Sequence, residues 1–373
     1  MRNESKPFSA RPVGFVATWV LGITALLGTL AVTIGRTIRD SAPPLADGAQ
    51  TSLIAPPGSY ERPRWAGAHR IDTLPGVLSI RAAVDVDSAW VLLDSRARQL
   101  VVLPDTPKAP ILRFGREGDG PGEFRDPWFM AVSGNQIGVL EARGDRLVRF
   151  DLSGQILGAA LLTDPSCVFG PGQALLGDPR GGFVLLRTCS GMRGSTRGVV
   201  QRVDLLGRTE TILDLPLQSG QHFDPFRLPV ITHLDDVLLF GLLSEGCLRP
   251  LDSSATNTTT SGFCAPAGER LPLPDSIRAR LEALATQASR VGQRLEMPEA
   301  LPPFIEVRTS SAGPLLRVPL STGGEALDLL HTGGKRTRID AAQPDAVFVG
   351  RDEILLVEDL MVGTRLGRVH RGG

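Results

Sequence analysis

Residues 115–154 read GREGDGPGEFRDPWFMAVSGNQIGVLEARGDRLVRFDLSG, and this stretch decides the fold. A glycine-rich loop of mixed charge leads through Pro127 into an apolar run at 128–132. A turn at 133–136 separates it from a second run at 137–140. The polar turn 141–145 then leads to a third run at 146–150, and 151–154 closes the unit. Short apolar segments divided by tight turns at this pace predict an antiparallel meander.

The order GxxGDGPGEFxxP, strand, turn, strand, RLVRFDLSG resembles an NHL-type repeat of the bacterial six-bladed β-propeller proteins. The resemblance covers about forty residues. It implies blades of four antiparallel strands around a central channel. It also implies that the loop entering each blade lies at one mouth of the channel. Arg116, Glu117, Asp119, Arg125 and Asp126 would then ring part of that mouth as ligand-contacting residues. Relatives of this kind range from binding and scaffolding modules to lyases and hydrolases, so the resemblance names no single activity.

Working outward, AVDVDSAWVLLDSRARQLVVL from Ala83 aligns with AVSGNQIGVLEARGDRLVRF from Ala131 when one gap is allowed. Asp94 falls opposite Glu141, and Leu100 opposite Leu147. The interval of about 47 residues lies within the range of propeller blades. A third unit spans 166–215, and its turn Asp204-Leu-Leu-Gly207 repeats Asp151-Leu-Ser-Gly154. Aspartate at the head of such a turn accepts backbone N–H groups two residues on, and glycine takes the left-handed position. A fourth unit begins near Phe226 and carries the polar loop SSATNTTTS at 253–261. The fifth runs from 304 to 339. The sixth, from 346 to 370, supplies three good strands. Its fourth is expected from the start of the domain, around 69–73, closing the ring as a clasp.

One helical interruption stands out at 275–297. Pro274-Asp275-Ser276 is a start signal, Ile277, Leu281, Leu284, Ala288, Val291 and Leu295 share one face, and Pro298 stops it. Residues 13–34 carry no charge and measure roughly 33 Å as a helix, which matches a bilayer core. Arg2, Lys6 and Arg11 precede this segment, so residues 1–12 are expected in the cytoplasm. A cleavable signal peptide is the rival reading, with a characteristically shorter apolar region. Residues 35–64 are rich in Pro, Ala, Gly and Ser and read as a flexible tether. The expected whole is an all-β six-bladed propeller at 65–373 with one inserted helix. An N-terminal transmembrane helix holds it at the inner membrane, with the domain periplasmic or extracellular.

Among 373 residues, 40 Lys+Arg balance 40 Asp+Glu, which gives no electrostatic case for nucleic acid. The five histidines form no HExxH or paired ligand pattern, and no Gly-x-Ser-x-Gly elbow is present. GREGDGPG lacks the Gly-Lys-Ser/Thr ending of a phosphate loop. Glu117 and Asp119 are the acids nearest to a calcium pattern, but their spacing differs from an EF-hand and an inter-blade turn explains them, so no cofactor is expected. Cys247 and Cys264 flank the polar loop and are placed to bridge adjacent strands, as are Cys167 and Cys189, if the compartment is oxidising. These features favour a binding or protein-interaction module for a small molecule or an envelope protein. The alternative is a metal-dependent hydrolase or lyase with its site in the channel. The topology predicts that protease added outside the inner membrane digests the C-terminal domain. Protection of that domain until lysis overturns the export reading.

Overall fold

The computed structural model describes residues 60–61 and 65–371, apart from 107–108, 163, 165, 168–173, 191–194, 219–221, 252–262, 266–269, 291–293, 322–323, 340–346 and 361–362. The expected cytoplasmic segment 1–12, the span 13–34, nearly all of the tether and the polar loop 253–261 lie outside the described residues. Among the described residues no helix is long and apolar enough to cross a membrane.

Six sheets of at least four strands follow one another along the chain. Blade 1 spans 80–114, blade 2 127–161, blade 3 174–218, blade 4 229–264 and blade 5 306–339. Blade 6 takes three strands from 347–371, and its outermost strand, Trp65–Leu74, comes from the start of the domain and pairs antiparallel with Gly363–Arg371. The clasp expected from the sequence is therefore present. A short segment, Tyr60–Glu61, adds a fifth strand to blade 5, parallel to Arg336–Ile339.

The ring follows from how the second strand of each blade distributes its side chains. Successive residues of a strand point to opposite faces. In Ala89–Asp94, Trp90 and Leu92 enter a core shared with Leu355, Val357 and Leu366 of blade 6, while Val91 and Leu93 enter one shared with Ile137, Val139 and Phe150 of blade 2. In Phe183–Ser190, Phe183 and Leu185 face Leu140 and Leu147 of blade 2, and Val184 and Leu186 face Ile231 and Leu238 of blade 4. Two further cores join blade 4 to blade 5 through Leu239, Phe304 and Leu316, and blade 5 to blade 6 through Leu327, Leu329 and Ile354. Every blade is thus apolar on both faces, which accounts for unbroken runs such as AWVLL and FVLL. The innermost strands crowd together: a Cβ on Gly177 would stand 2.0 Å from the Val132 carbonyl oxygen of the preceding blade.

The repeated turns have one geometry. Asp151 Oδ1 accepts the N–H groups of Ser153 and Gln155 (2.9 and 2.8 Å), and Asp204 Oδ1 accepts those of Leu206 and Arg208 (2.8 and 2.9 Å). Gly154 and Gly207 close the two turns at φ +89° and +84°. Disulfides join Cys247 to Cys264, which face each other across adjacent strands, and Cys167 to Cys189.

The helix is shorter than the sequence pattern predicts. It runs from Asp275 to Arg290 and buries Ile277 and Leu281 against Phe226, Leu273 and Leu301. Leu295, placed on the helical face by periodicity, belongs instead to the strand Arg294–Leu295, which pairs with His222–Phe223. Three residues, 291–293, separate the two elements, and the sequence there includes Gly292, a residue type that ends helices.

Asp94 and Glu141, aligned by the repeat, do the same job. Each ends the second strand of its blade and is almost fully buried. Asp94 accepts the N–H groups of Leu78, Ser79 and Ala97 (2.7, 3.1 and 2.9 Å). Glu141 accepts the N–H of Arg125 (2.9 Å) and pairs with the Arg125 and Arg146 side chains (2.7 and 3.2 Å). Removing one member of a buried charge network costs about 3–5 kcal/mol, because its partners stay buried and unpaired. Arg125 keeps Asp119 and Asp145, and Arg146 keeps two carbonyls, so Glu141→Ala is expected to lower stability by about 2–3 kcal/mol in urea unfolding, and Glu141→Gln, which can still accept from Arg125, by less.

Candidate functional site: the mouth of the channel

The loop between blades 1 and 2 carries the charged residues singled out in the sequence, and ion pairs engage most of them. Arg116 pairs with Glu123 (2.7 Å), and Glu117 with Arg98 of the neighbouring turn. Asp119 pairs with Arg125 (3.3 Å), which also reaches Glu141 and Asp145 (2.7 and 3.4 Å). Glu141 is the main cause of the raised pKa of the Arg125 guanidinium. Arg146 braces the loop from below, donating to the Gly120 and Glu123 carbonyls (2.7 and 3.2 Å). Fully buried Phe124 fixes it to the core against Phe150, with ring centroids 5.7 Å apart. The loop is a braced strap, and it ends at Asp126, whose carbonyl accepts the Ala142 N–H (2.8 Å).

Immediately beyond the strap the pairing slips by one residue. In blade 2, Leu140 faces Phe129 and Glu141 faces Pro127, so Trp128 is an extra residue. Blade 1 has the same irregularity: Leu93 faces Ala82 and Asp94 faces Ile80, leaving Arg81 as the extra residue. A β-bulge of this kind twists the strand and re-aims a side chain. Arg81 and Trp128 hold equivalent places in consecutive repeats, and the two bulges bring them together. The guanidinium carbon of Arg81 lies 3.2 Å from the Trp128 ring centroid, a cation–π stack.

Burial pushes the Arg81 guanidinium below its ordinary pKa, the positive charge of Arg308 adds to the effect, and the carboxylate of Asp126 opposes it. Arg308 lies on the innermost strand of blade 5, Glu306–Ser310. Blade 6 stands between blades 5 and 1 around the ring, so Arg81 and Arg308 meet across its open centre. Glu306 holds Arg308 by two bonds (2.8 and 3.2 Å) and also pairs with Arg317 (3.1 Å), which reaches Glu325 (3.3 Å). The mouth therefore gathers Arg81, Asp126, Trp128 and Arg308 from three blades. Of these, only Asp126 was marked in the sequence. The others carry no such mark in the sequence: both repeats slip at the same place, so Arg81 aligns with Trp128 just as Asp94 aligns with Glu141, and the slip needs no gap.

Elsewhere, one group of three side chains with metal-ligand atoms is found among the described residues: Asp164, Cys167 and Cys189. Its two sulfurs are bonded to each other. At the far end of the channel, His233 sits on the innermost strand of blade 4, Pro229–Leu234. Burial pushes its pKa down, against the pull of Asp178 and Asp236. His331 is engaged by the Thr337 hydroxyl (2.9 Å).

No family model matches the chain, and no curated protein matches it by sequence. Solved structures resemble it in outline. A Bacteroides fragilis chain described as a "Putative exported protein" is 12% identical, with 82% of this chain and 96% of that one covered and a TM-score of 0.48. A member of the DUF4221 family from Bacteroides vulgatus is 11% identical over 80% and 97% of the two chains, at 0.44. A streptogramin B lyase is 12% identical over 81% and 98%, at 0.40. At these scores the likenesses carry no argument about what this chain does. The six blades rest on its own sheet topology.

The state of His233 gives a pH dependence. Its folded pKa is depressed, so between that value and the ordinary value of about 6.5 the unfolded chain binds the additional proton. The stability linked to neutral His233 is complete above about pH 6.5 and is lost as pH falls from there toward the folded value. Urea midpoints are expected to drop between pH 7 and pH 5.5 in the wild type, and to drop less in His233→Gln.

Proposed function

We propose that this chain is an exported, membrane-anchored propeller of the NHL type, and that it binds a small molecule or an envelope protein at the channel mouth formed by Arg81, Asp126, Trp128 and Arg308. The observation that carries this reading is the pair of equivalent bulges. Two successive repeats give up regular pairing at the same place and turn an arginine and a tryptophan into one stack at the ring's centre. Bulges of this kind are over-represented beside binding and active sites. The rigid support is also there: Asp94 and Glu141, on the strand beside each bulge, fix the loops that enter it, and loops fixed on a stiff scaffold are where sites accumulate.

The residues of the strap, Arg116, Glu117, Asp119 and Arg125, serve in this reading as the rim that shapes the mouth. Asp126 is the strap residue whose charge reaches the centre. The mouth binds and presents its ligand without chemical change, and no cofactor is called for. The balanced charge of the chain suits this role better than contact with nucleic acid.

Thermal-shift screening of the full chain against a library of small metabolites tests the proposal. Compounds that raise the wild-type melting temperature are expected to lose most of that effect in Arg81→Ala, whose own melting temperature stays near that of the wild type. Hits whose shifts survive unchanged in Arg81→Ala and in Trp128→Phe overturn the mouth as the binding site.

A further inference from the structure

We infer that the ligand of this mouth is anchored by a carboxylate group, received by Arg81 with Arg308 close by. The inference rests on the mouth being the binding site and adds the chemical class of what it takes. Among the described residues, the Arg81 guanidinium makes no hydrogen bond or ion pair, and it stacks on the face of Trp128. Arg81 itself keeps a solvent-exposed side, whereas arginines drawn into the body of the ring are engaged. Arg146 has Glu141 and two carbonyls, Arg202 has Asp178, Arg317 has Glu306 and Glu325, and Arg338 has Asp328. Arg187, almost fully buried, donates to the Leu162, Asp164 and Cys167 carbonyls.

Stacking on an indole covers one face of a guanidinium and leaves its edge of N–H donors in a fixed plane. That edge matches the two oxygens of a carboxylate or a phosphate. Asp126 draws on the charge of Arg81 without forming an ion pair with it, so the donors remain open. The neighbouring charges choose between the two anions. Asp126 and Glu306 flank the two arginines, and a second negative charge on the ligand would face both of them. A singly charged carboxylate gains the fork of Arg81 and meets less of that repulsion than a phosphate dianion.

Phenylglyoxal modifies guanidinium groups and provides a direct readout. The full chain is labelled and modification is quantified by peptide mass spectrometry at Arg81 and at Arg278, which is exposed on the helix and serves as reference. Labelling is repeated with benzoate, inorganic phosphate or chloride at matched ionic strength. Benzoate is expected to slow modification of Arg81 by about tenfold relative to chloride, and to leave Arg278 unchanged. Stronger protection by phosphate overturns the carboxylate assignment but leaves the mouth as a binding site. Equal protection by all three salts overturns the anion site altogether. An Arg81 that resists labelling in every salt while Arg278 reacts shows a closed mouth, and this inference and the proposed function fall together.

Discussion

Each blade of this protein has two apolar faces, and neither tolerates water. In the second strands the alternation that separates inside from outside in a half-exposed sheet becomes an alternation between left-hand and right-hand neighbours. Trp90 and Leu92 look one way around the ring, Val91 and Leu93 the other, and all four are sealed from solvent. A single blade or an open arc would leave one such face bare. The ring must close, and the strand Trp65–Leu74 closes it by completing the sheet begun at the other end of the chain. The seam between blades 6 and 1 then gains polar ties. The Trp90 indole N–H donates to Glu353, and Arg368 reaches Asp105 (2.9 Å) and the Pro104 carbonyl (3.2 Å).

The charged residues serve the same closure. Three of the 40 basic residues are lysine, and the rest are arginine. A guanidinium offers five donors in a rigid fork and so reaches a carboxylate and a carbonyl of two different segments at once. Arg146 does this between the strap and the second strand of blade 2, and Arg187 ties the Gln201 carboxamide of blade 3 to backbone carbonyls of the loop that enters it. The buried arginines are thus engaged within the ring, while the exposed edge of Arg81 stays open.

Much of this was legible in the sequence. Fully buried strands leave unbroken apolar runs, and the turns between them are marked by Asp and Gly, so strands such as Gln136–Glu141 and Val237–Leu242 stand within a residue or two of their expected bounds. The clasp was legible because the last unit was one strand short. The bulges were not. A strand buried on both faces shows no alternation, and two repeats that slip at the same place align without a gap, so the slip leaves no mark. The partners of the strap were hidden for another reason: Glu117 meets Arg98, and Arg125 meets Glu141, across turns of different blades, and spacing along the chain does not encode such meetings. The nearness of Arg81 to Arg308 exists only once the ring is closed. The helix was over-extended because Leu295 keeps the helical interval while its backbone pairs with Phe223.

The entry of the chain into the ring fixes a direction. Tyr60 pairs with Arg336 and Trp65 with Arg371, both where strands leave or enter the hairpins on the side opposite the strap and the stacked Arg81. Tyr60–Glu61 and Trp65 therefore meet the ring at its rear. The first and last described strands thus join it on that side, and the face with the stacked Arg81 and Trp128 stays clear of both. A bulky partner would reach that face without displacing either of them.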